Sequence, residues 1–342
     1  MTIADVPQPT QRRRAGLGWR AAGILARRRE ASILAVAIAL AIYFAVSSSA
    51  FYDKDNVKNI AESVAPIALI AAGEVLLLIC GEIDLAVGRV FALTPIIMYV
   101  VSSPDEHGQS IWLGAFLGLL VAAGVGAVNG VITTFLRVPS FITTLGMLFF
   151  LNGINLRVSG GSQVSTPGGP HFTAITGGYK LFFNSEFYWA VVLVVLVQLL
   201  LTRTRWGLHT VATGGNLIGA SESGVNVRMI KIGNFVIANV LAGLAGILDS
   251  ERITSIQPLQ GGADIMFLAV AAAVIGGTSL LGGSGTVAGA FVGVVVLQIL
   301  QNGFNILGVN AFNFDLIIGI AILISMVLNI QIARLRNVGR LQ

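Results

Sequence analysis

Four ionisable residues crowd one apolar stretch, Gly73-Glu-Val-Leu-Leu-Leu-Ile-Cys-Gly-Glu-Ile-Asp-Leu-Ala-Val-Gly-Arg89. Glu74, Glu82, Asp84 and Arg89 lie within or beside runs apolar enough to sit in hydrocarbon. A lone charge at mid-bilayer costs about 2.5–3.5 kcal/mol on insertion scales. The four groups must therefore face protein, water or one another. Three roles suit them: an Asp–Arg or Glu–Arg pair stapling two helices, direct contact with a polar solute, or gating of a path. Gly81 and Gly88 flank the core of the run. Glycine lets a helix break, and broken backbone is tolerated at depth only where it is buried or lines a cavity. Transporters build solute sites from such interrupted helices.

A second Gly-dense interruption, Ile275-Gly-Gly-Thr-Ser-Leu-Leu-Gly-Gly-Ser-Gly285, also separates two apolar runs. It carries hydroxyls, among them Thr278 and Ser279, in place of charges. Close helix packing would explain its glycines; so would a second half of a duplicated architecture. Asn129-Gly130 with Phe141 weakly echoes Asn302-Gly303 with Phe312, and Asn129 joins the candidates for a path or gate.

The third segment is hydrophilic and spans 203–231. After Gly214-Gly215-Asn216 a short helix over 216–223 is expected, ended by Gly224 in a C-terminal cap. Glu222 and Asn226 flank that cap. The segment is either an ordinary loop or a docking element.

These residues need a membrane scaffold to position them. Of 342 residues, 55% are hydrophobic and 11% charged, against about 25% charged in a soluble domain. Crossing hydrocarbon takes roughly 20 apolar residues as a helix. Ten spans are expected: 31–50, 61–80, 85–101, 111–136, 141–156, 187–202, 232–250, 265–281, 286–307 and 312–331. The fifth is short and contains Asn152 and Asn155, so a broken or partly inserted helix is expected there. The fold class is thus an all-α polytopic membrane protein, interrupted near 81–88 and 276–285. A basic tail (1–30) precedes the membrane domain (31–331), and a short tail (332–342) follows it. With the N-terminus inside, inner segments hold fifteen Lys and Arg and outer segments five, which puts both termini in the cytoplasm. The early basic residues and the run Ile33–Val46 also resemble a signal peptide, but a retained first helix is expected. The outer stretch 157–186 is either a flexible loop or a surface for an external partner. Cys80 is the only cysteine, which excludes an intrachain disulfide. No G-x-x-x-x-G-K-[ST] loop is present, so this chain does not bind ATP phosphates in that way. No nucleophile–base motif is visible, and no metal, cofactor or nucleic-acid site is expected.

The run Gly81-Glu-Ile-Asp-Leu-Ala-Val-Gly88 resembles the G-x-I-D-L-S-V-G signature of ABC-transporter permeases of the ribose/xylose/arabinose class. Ala86 stands where serine is usual and Glu82 where glycine is common. Arg137-Val-Pro-Ser-Phe-Ile-Thr-Thr-Leu-Gly146, Val274-Ile-Gly-Gly-Thr-Ser-Leu280, the stretch Gly207 to Val227, and Leu300-Gln-Asn-Gly-Phe-Asn-Ile-Leu-Gly308 resemble the same family. The similarity covers about 60–331, in order. It implies a non-enzymatic membrane subunit of an importer in a bacterial inner membrane, paired with a second permease subunit. It further implies a cytoplasmic ATPase that uses ATP and docks on 214–227 (Gly214, Gly215, Asn216, Glu222, Gly224 and Asn226). A periplasmic binding protein would deliver a monosaccharide, polyol or similar solute. The competing expectation is an ion-coupled secondary transporter, with Glu74, Glu82 and Asp84 carrying protons.

Overall fold

A computed structural model of the chain describes residues 29–310 and, beyond them, positions 313, 316, 317, 319, 320, 323 and 327. Residues 1–28 of the basic N-terminal tail and the C-terminal tail lie outside the described residues, as does most of the expected tenth span, 312–331.

Apolar runs of membrane length become helices because hydrocarbon leaves each backbone N–H and C=O only its own chain to bond. Twelve α-helices are described. They are α1 (Arg29–Ser47), α2 (Lys54–Ile79), α3 (Val87–Ser102), α4 (Ile111–Phe135), α5 (Ser140–Val158), α6 (Pro170–Thr176), α7 (Ser185–Arg203), α8 (Arg205–Gly215), α9 (Leu217–Glu222), α10 (Val227–Ile253), α11 (Gly262–Ile275) and α12 (Val287–Ile306). Among the described residues six are long and apolar enough to cross a membrane: α2, α4, α5, α7, α10 and α12. Shorter apolar helices occur in α1, α3 and α11. Each of the first nine expected spans therefore has its helix.

The fifth differs from expectation. It is an unbroken helix of 19 residues, about 28 Å long at 1.5 Å per residue. Asn155 does not break it, because its amide is used across helices: Nδ2 donates to the Arg89 carbonyl at 3.1 Å and to the Pro258 carbonyl at 3.4 Å.

Helix α2 is the hub. In its most apolar stretch 89% of residues are buried, against 28% for α4 and 17% for α5. It packs against α7, α10, α11 and α12, while α10 also packs on α3 and α4. Lipid tails are as apolar as leucine, so outer helices gain nothing by hiding phenylalanines; Phe149 and Phe150 on α5 are exposed accordingly. Small residues set the close approaches. A methyl on Gly88 would overlap the Gly262 carbonyl, and one on Gly246 the Phe91 carbonyl.

The connections gather at two ends. One end holds the link 80–86, the α4–α5 turn, α8, α9, the start of α10 and the loop 276–286. The other holds the segment 159–184, which is ordered: β1 (Val164–Ser165) pairs antiparallel with β4 (Ser255–Ile256), and β2 (Tyr179–Lys180) with β3 (Phe183–Asn184).

Candidate functional site

Both interruptions are built from one local device. Helix α2 stops at Cys80, and Gly81 takes φ +77°. Gly81 N–H then donates to Leu78 O and Glu82 N–H to Leu77 O, both at 2.9 Å. Helix α11 stops at Gly276, Gly277 takes φ +89°, and Gly277 and Thr278 donate to Val274 and Ala273, also at 2.9 Å. This is the two-bond C-terminal cap that needs a left-handed residue. The two interruptions also touch: Gly283 N–H donates to Ile79 O at 2.8 Å, and Gly214 at the end of α8 abuts the same carbonyl.

The link after α2 turns back into the protein and brings Asp84 to a fully buried position. Its carboxylate accepts from Ala86 N–H at 2.8 Å, just before α3 begins, where a helix N-terminus favours negative charge. Across the bundle, Asn129 Nδ2 of α4 donates at 3.2 Å and 3.4 Å, and Asn239 Nδ2 of α10 at 2.7 Å. Glu74 of α2 lies within electrostatic reach of Asp84, fully buried, and its carboxyl oxygens accept from no side chain. No lysine, arginine or histidine among the described residues pairs with either carboxyl. The amide oxygens of Asn129 and Asn239 are unpartnered as well. These bonds tie two helices, α4 and α10, to the link, and the cluster has spare acceptors.

The expected pair of Asp84 or Glu82 with Arg89 does not form. Arg89 lies on the first turn of α3, which turns its side chain toward α11; Nη1 donates to Leu259 O at 2.9 Å, and the guanidinium packs beside Gly262. Glu82 instead forms an ion pair with Lys231 of α10. Thr278 is buried in the second interruption, and Ser279 Oγ accepts from Leu281 N–H at 3.2 Å; neither joins Asp84. Asn239 and Lys231 were not singled out in the sequence. The usable signal was Asn239, an amide in the middle of an apolar span, which must find a polar partner there.

The third segment folds as two helices. Trp206 Nε1 of α8 donates to Asn234 Oδ1 of α10 at 2.8 Å, and Asn234 Nδ2 reaches Thr210 Oγ1 and the Cys80 sulfur. Helix α9 is shorter than the expected 216–223. Asn216 Oδ1 caps it by accepting from Gly219 N–H at 2.9 Å, and Gly224 closes it at φ +84°. Leu217, Ile218 and Glu222 are exposed on it.

At the opposite end, Asp249, Glu251 and Glu186 lie at or just beyond the edges of the apolar runs. They are buried on α10 and α7, because those helices run further than the apolar runs. Arg252 holds Glu186 at 2.9 Å and Glu62 at 3.4 Å, and also pairs with Asp249. Gln260 donates to Asp249 at 2.7 Å and Tyr179 to Glu62 at 2.6 Å; the latter bond holds the phenol proton and raises the Tyr179 pKa. Replacing Arg252 by Met strands three carboxylates, so a loss of about 3–5 kcal/mol is expected. Thermal unfolding in detergent measures it, and unchanged stability would mean the cluster is solvated.

Among the described residues no three His, Cys, Asp or Glu side chains converge as a metal site.

No solved structure matches the chain. It is 40% identical to the xylose/arabinose import permease protein XylH of Sulfolobus acidocaldarius, over 89% of this chain and 85% of that one. It is 32% identical to the ribose import permease protein RbsC of Escherichia coli K12, over 87% of this chain and 92% of the relative. It is also 32% identical to the autoinducer 2 import system permease protein LsrC of Yersinia enterocolitica, over 86% and 81% respectively. Residues 56–326 match the family described as branched-chain amino acid transport system / permease component, and the chain belongs to that family of multi-pass importer permeases.

Proposed function

We propose that this chain carries a monosaccharide, polyol or similar small solute across the membrane as the permease subunit of an ATP-driven importer. One observation bears most of the weight: three relatives that span most of this chain are named for the import of xylose/arabinose, ribose and autoinducer 2. The family description names branched-chain amino acids. Relatives aligned over nearly the whole chain are the more specific guide to solute, so the sugar class is preferred.

Helix α9 with its flanks, Gly214 to Asn226, is the docking element for a cytoplasmic ATPase, which is where ATP is used. Its exposed Leu217 and Ile218 lie on a six-residue helix beyond the packed bundle, and an apolar pair there suits a protein partner. The opposite end, with its ordered 159–184 segment, receives a solute-binding protein. A second permease subunit completes the path. The link 80–86 with Glu74, Glu82, Asp84, Asn129 and Arg89, and the counterpart loop with Thr278 and Ser279, form the gate region. Purification in mild detergent tests the assembly: an ATPase chain should co-purify, and recovery of this chain alone under several mild conditions counts against it.

The α8–α9 end faces the cytoplasm, as do both termini, in a cytoplasmic (inner) membrane. Ten of the fifteen inner basic residues lie in 1–29 and 334–340; the loops at the two ends carry five each. The orientation therefore rests on the tails. A reporter fused after Asn337 should be active only if it reads the cytoplasm; activity from a periplasm-reading reporter would reverse the assignment.

A further inference from the structure

A cleft of about 860 Å³ opens between α9 and the α4–α5 turn, with Arg137, Leu217, Glu222 and Arg228 on its walls. Glu82 and Lys231 also line it, and their side chains are only 11% and 15% exposed. They form its floor. Two residues beyond Glu82 lies Asp84, fully buried. Helix α10 holds both: Lys231 grips Glu82, and Asn239, eight residues on, grips Asp84. The two grips are about 12 Å apart along a rigid helix. Four residues, 223–226, join α9 to α10, and the α10 cap, Asn226 Oδ1 accepting from Met229 N–H at 3.1 Å, lies in that joint.

We propose that the Glu82–Lys231 ion pair is the releasable tie that transmits movement of α9 to the 80–86 link, so that it separates and re-forms once per transport cycle. The inference rests on the importer function proposed above. Both ties join α10 to the same link, but their surroundings differ. The Asp84–Asn239 bond is shut away from water, so opening it strands a buried carboxylate. The ion pair borders the cleft, where water can solvate both charges as they part. Charges of both signs, Glu222 and Arg137 with Arg228, line the same cleft. Arg228 stacks over Phe135 with its guanidinium 5.0 Å from the ring centre, which holds that charge on the wall. When the pair parts, its charges therefore face a cleft open to water and lined by charges of both signs. Lys231 is a positioning residue here; it need not touch the solute.

The test uses the complete importer, with its co-purified partners, in proteoliposomes, and reads solute moved per ATP hydrolysed. Lys231→Met and Glu82→Gln should each lower that ratio roughly tenfold, the scale of a typical coupling between sites, while ATP hydrolysis continues. The exchanged pair, Glu82→Lys with Lys231→Glu, should recover most of the loss. A wild-type ratio in both single variants overturns the proposal, as does an exchanged pair that assembles, hydrolyses ATP and recovers nothing. If a neutralised variant fails to fold, a second measurement decides. In a Cys80→Ala background, Glu82→Cys with Lys231→Cys is joined by a short bis-maleimide. Blocked turnover supports release of the tie, and undiminished turnover overturns it. Failure of the importer function itself looks different: the wild-type assembly would then show no ATP-dependent uptake at all.

Discussion

Replacing Asp84 with alanine should lower stability by roughly 3 kcal/mol or more, because three donors lose a charged acceptor in a buried site. Those donors are the Ala86 N–H and the side-chain amides of Asn129 and Asn239. Total stability of a domain is about 5–15 kcal/mol, so the yield of monodisperse protein should fall several-fold. Asp84→Asn should behave differently. The amide oxygens of Asn129 and Asn239 are both unpartnered, so a new amide at position 84 can donate to one and accept from the other. Folding and uptake within about threefold of wild type are expected if Asp84 acts as the anchor of the link, each exchanged bond being worth only about 0.5–1.5 kcal/mol. Normal yield with abolished uptake would show that the charge itself is needed on the path, and that the anchor is an incomplete description.

Gly224→Pro should sever the chain from its ATPase. Gly224 sits at φ +84° and its N–H donates to Ser221 O at 3.0 Å. Proline fixes φ near −65° and has no N–H. The cap of a six-residue helix cannot survive both losses, and so short a helix has no propensity to fall back on. Ile218→Asp should act on the same surface without disturbing the backbone, since Ile218 is exposed. Glu222→Arg reverses the exposed charge beside it. Co-purification of the ATPase and ATP-driven uptake should fall more than tenfold in the first two variants, the loss expected when a central docking contact worth about 2 kcal/mol is removed. Insertion should be unaffected, because α9 lies outside the packed bundle. Normal ATPase recovery with all three variants would remove α9 as the docking element.

Much of this architecture was legible because the bilayer is a strict solvent. Apolar length marked the helices, and Gly81 and Gly277 marked the interruptions, since both sit in left-handed caps that other residues adopt poorly. Asp84, Glu74 and Asn129 stood out as polar groups in apolar surroundings, and they do converge. Their partners were less visible. Lys231 and Asn239 lie 149 and 155 residues from the groups they bind, and which face of α10 meets the link depends on packing that no local pattern records. Arg89 misled for the same reason. Its spacing from Asp84 suggested a pair, but α3 starts between them and turns the guanidinium to α11. Asn155 suggested a broken helix because its acceptors, the carbonyls of Arg89 and Pro258, are distant in sequence. The buried ion cluster around Arg252 leaves no mark in the sequence, because hydropathy falls before the helix ends.

The most direct measurement is uptake of labelled xylose, arabinose and ribose into proteoliposomes holding the purified assembly and its solute-binding protein. Uptake of at least one of these sugars is expected to require ATP on the α9 side and to persist when ionophores collapse proton and sodium gradients. Uptake driven by an ion gradient without ATP would contradict it, and would make Glu74 and Asp84 carriers of protons instead of parts of a gate.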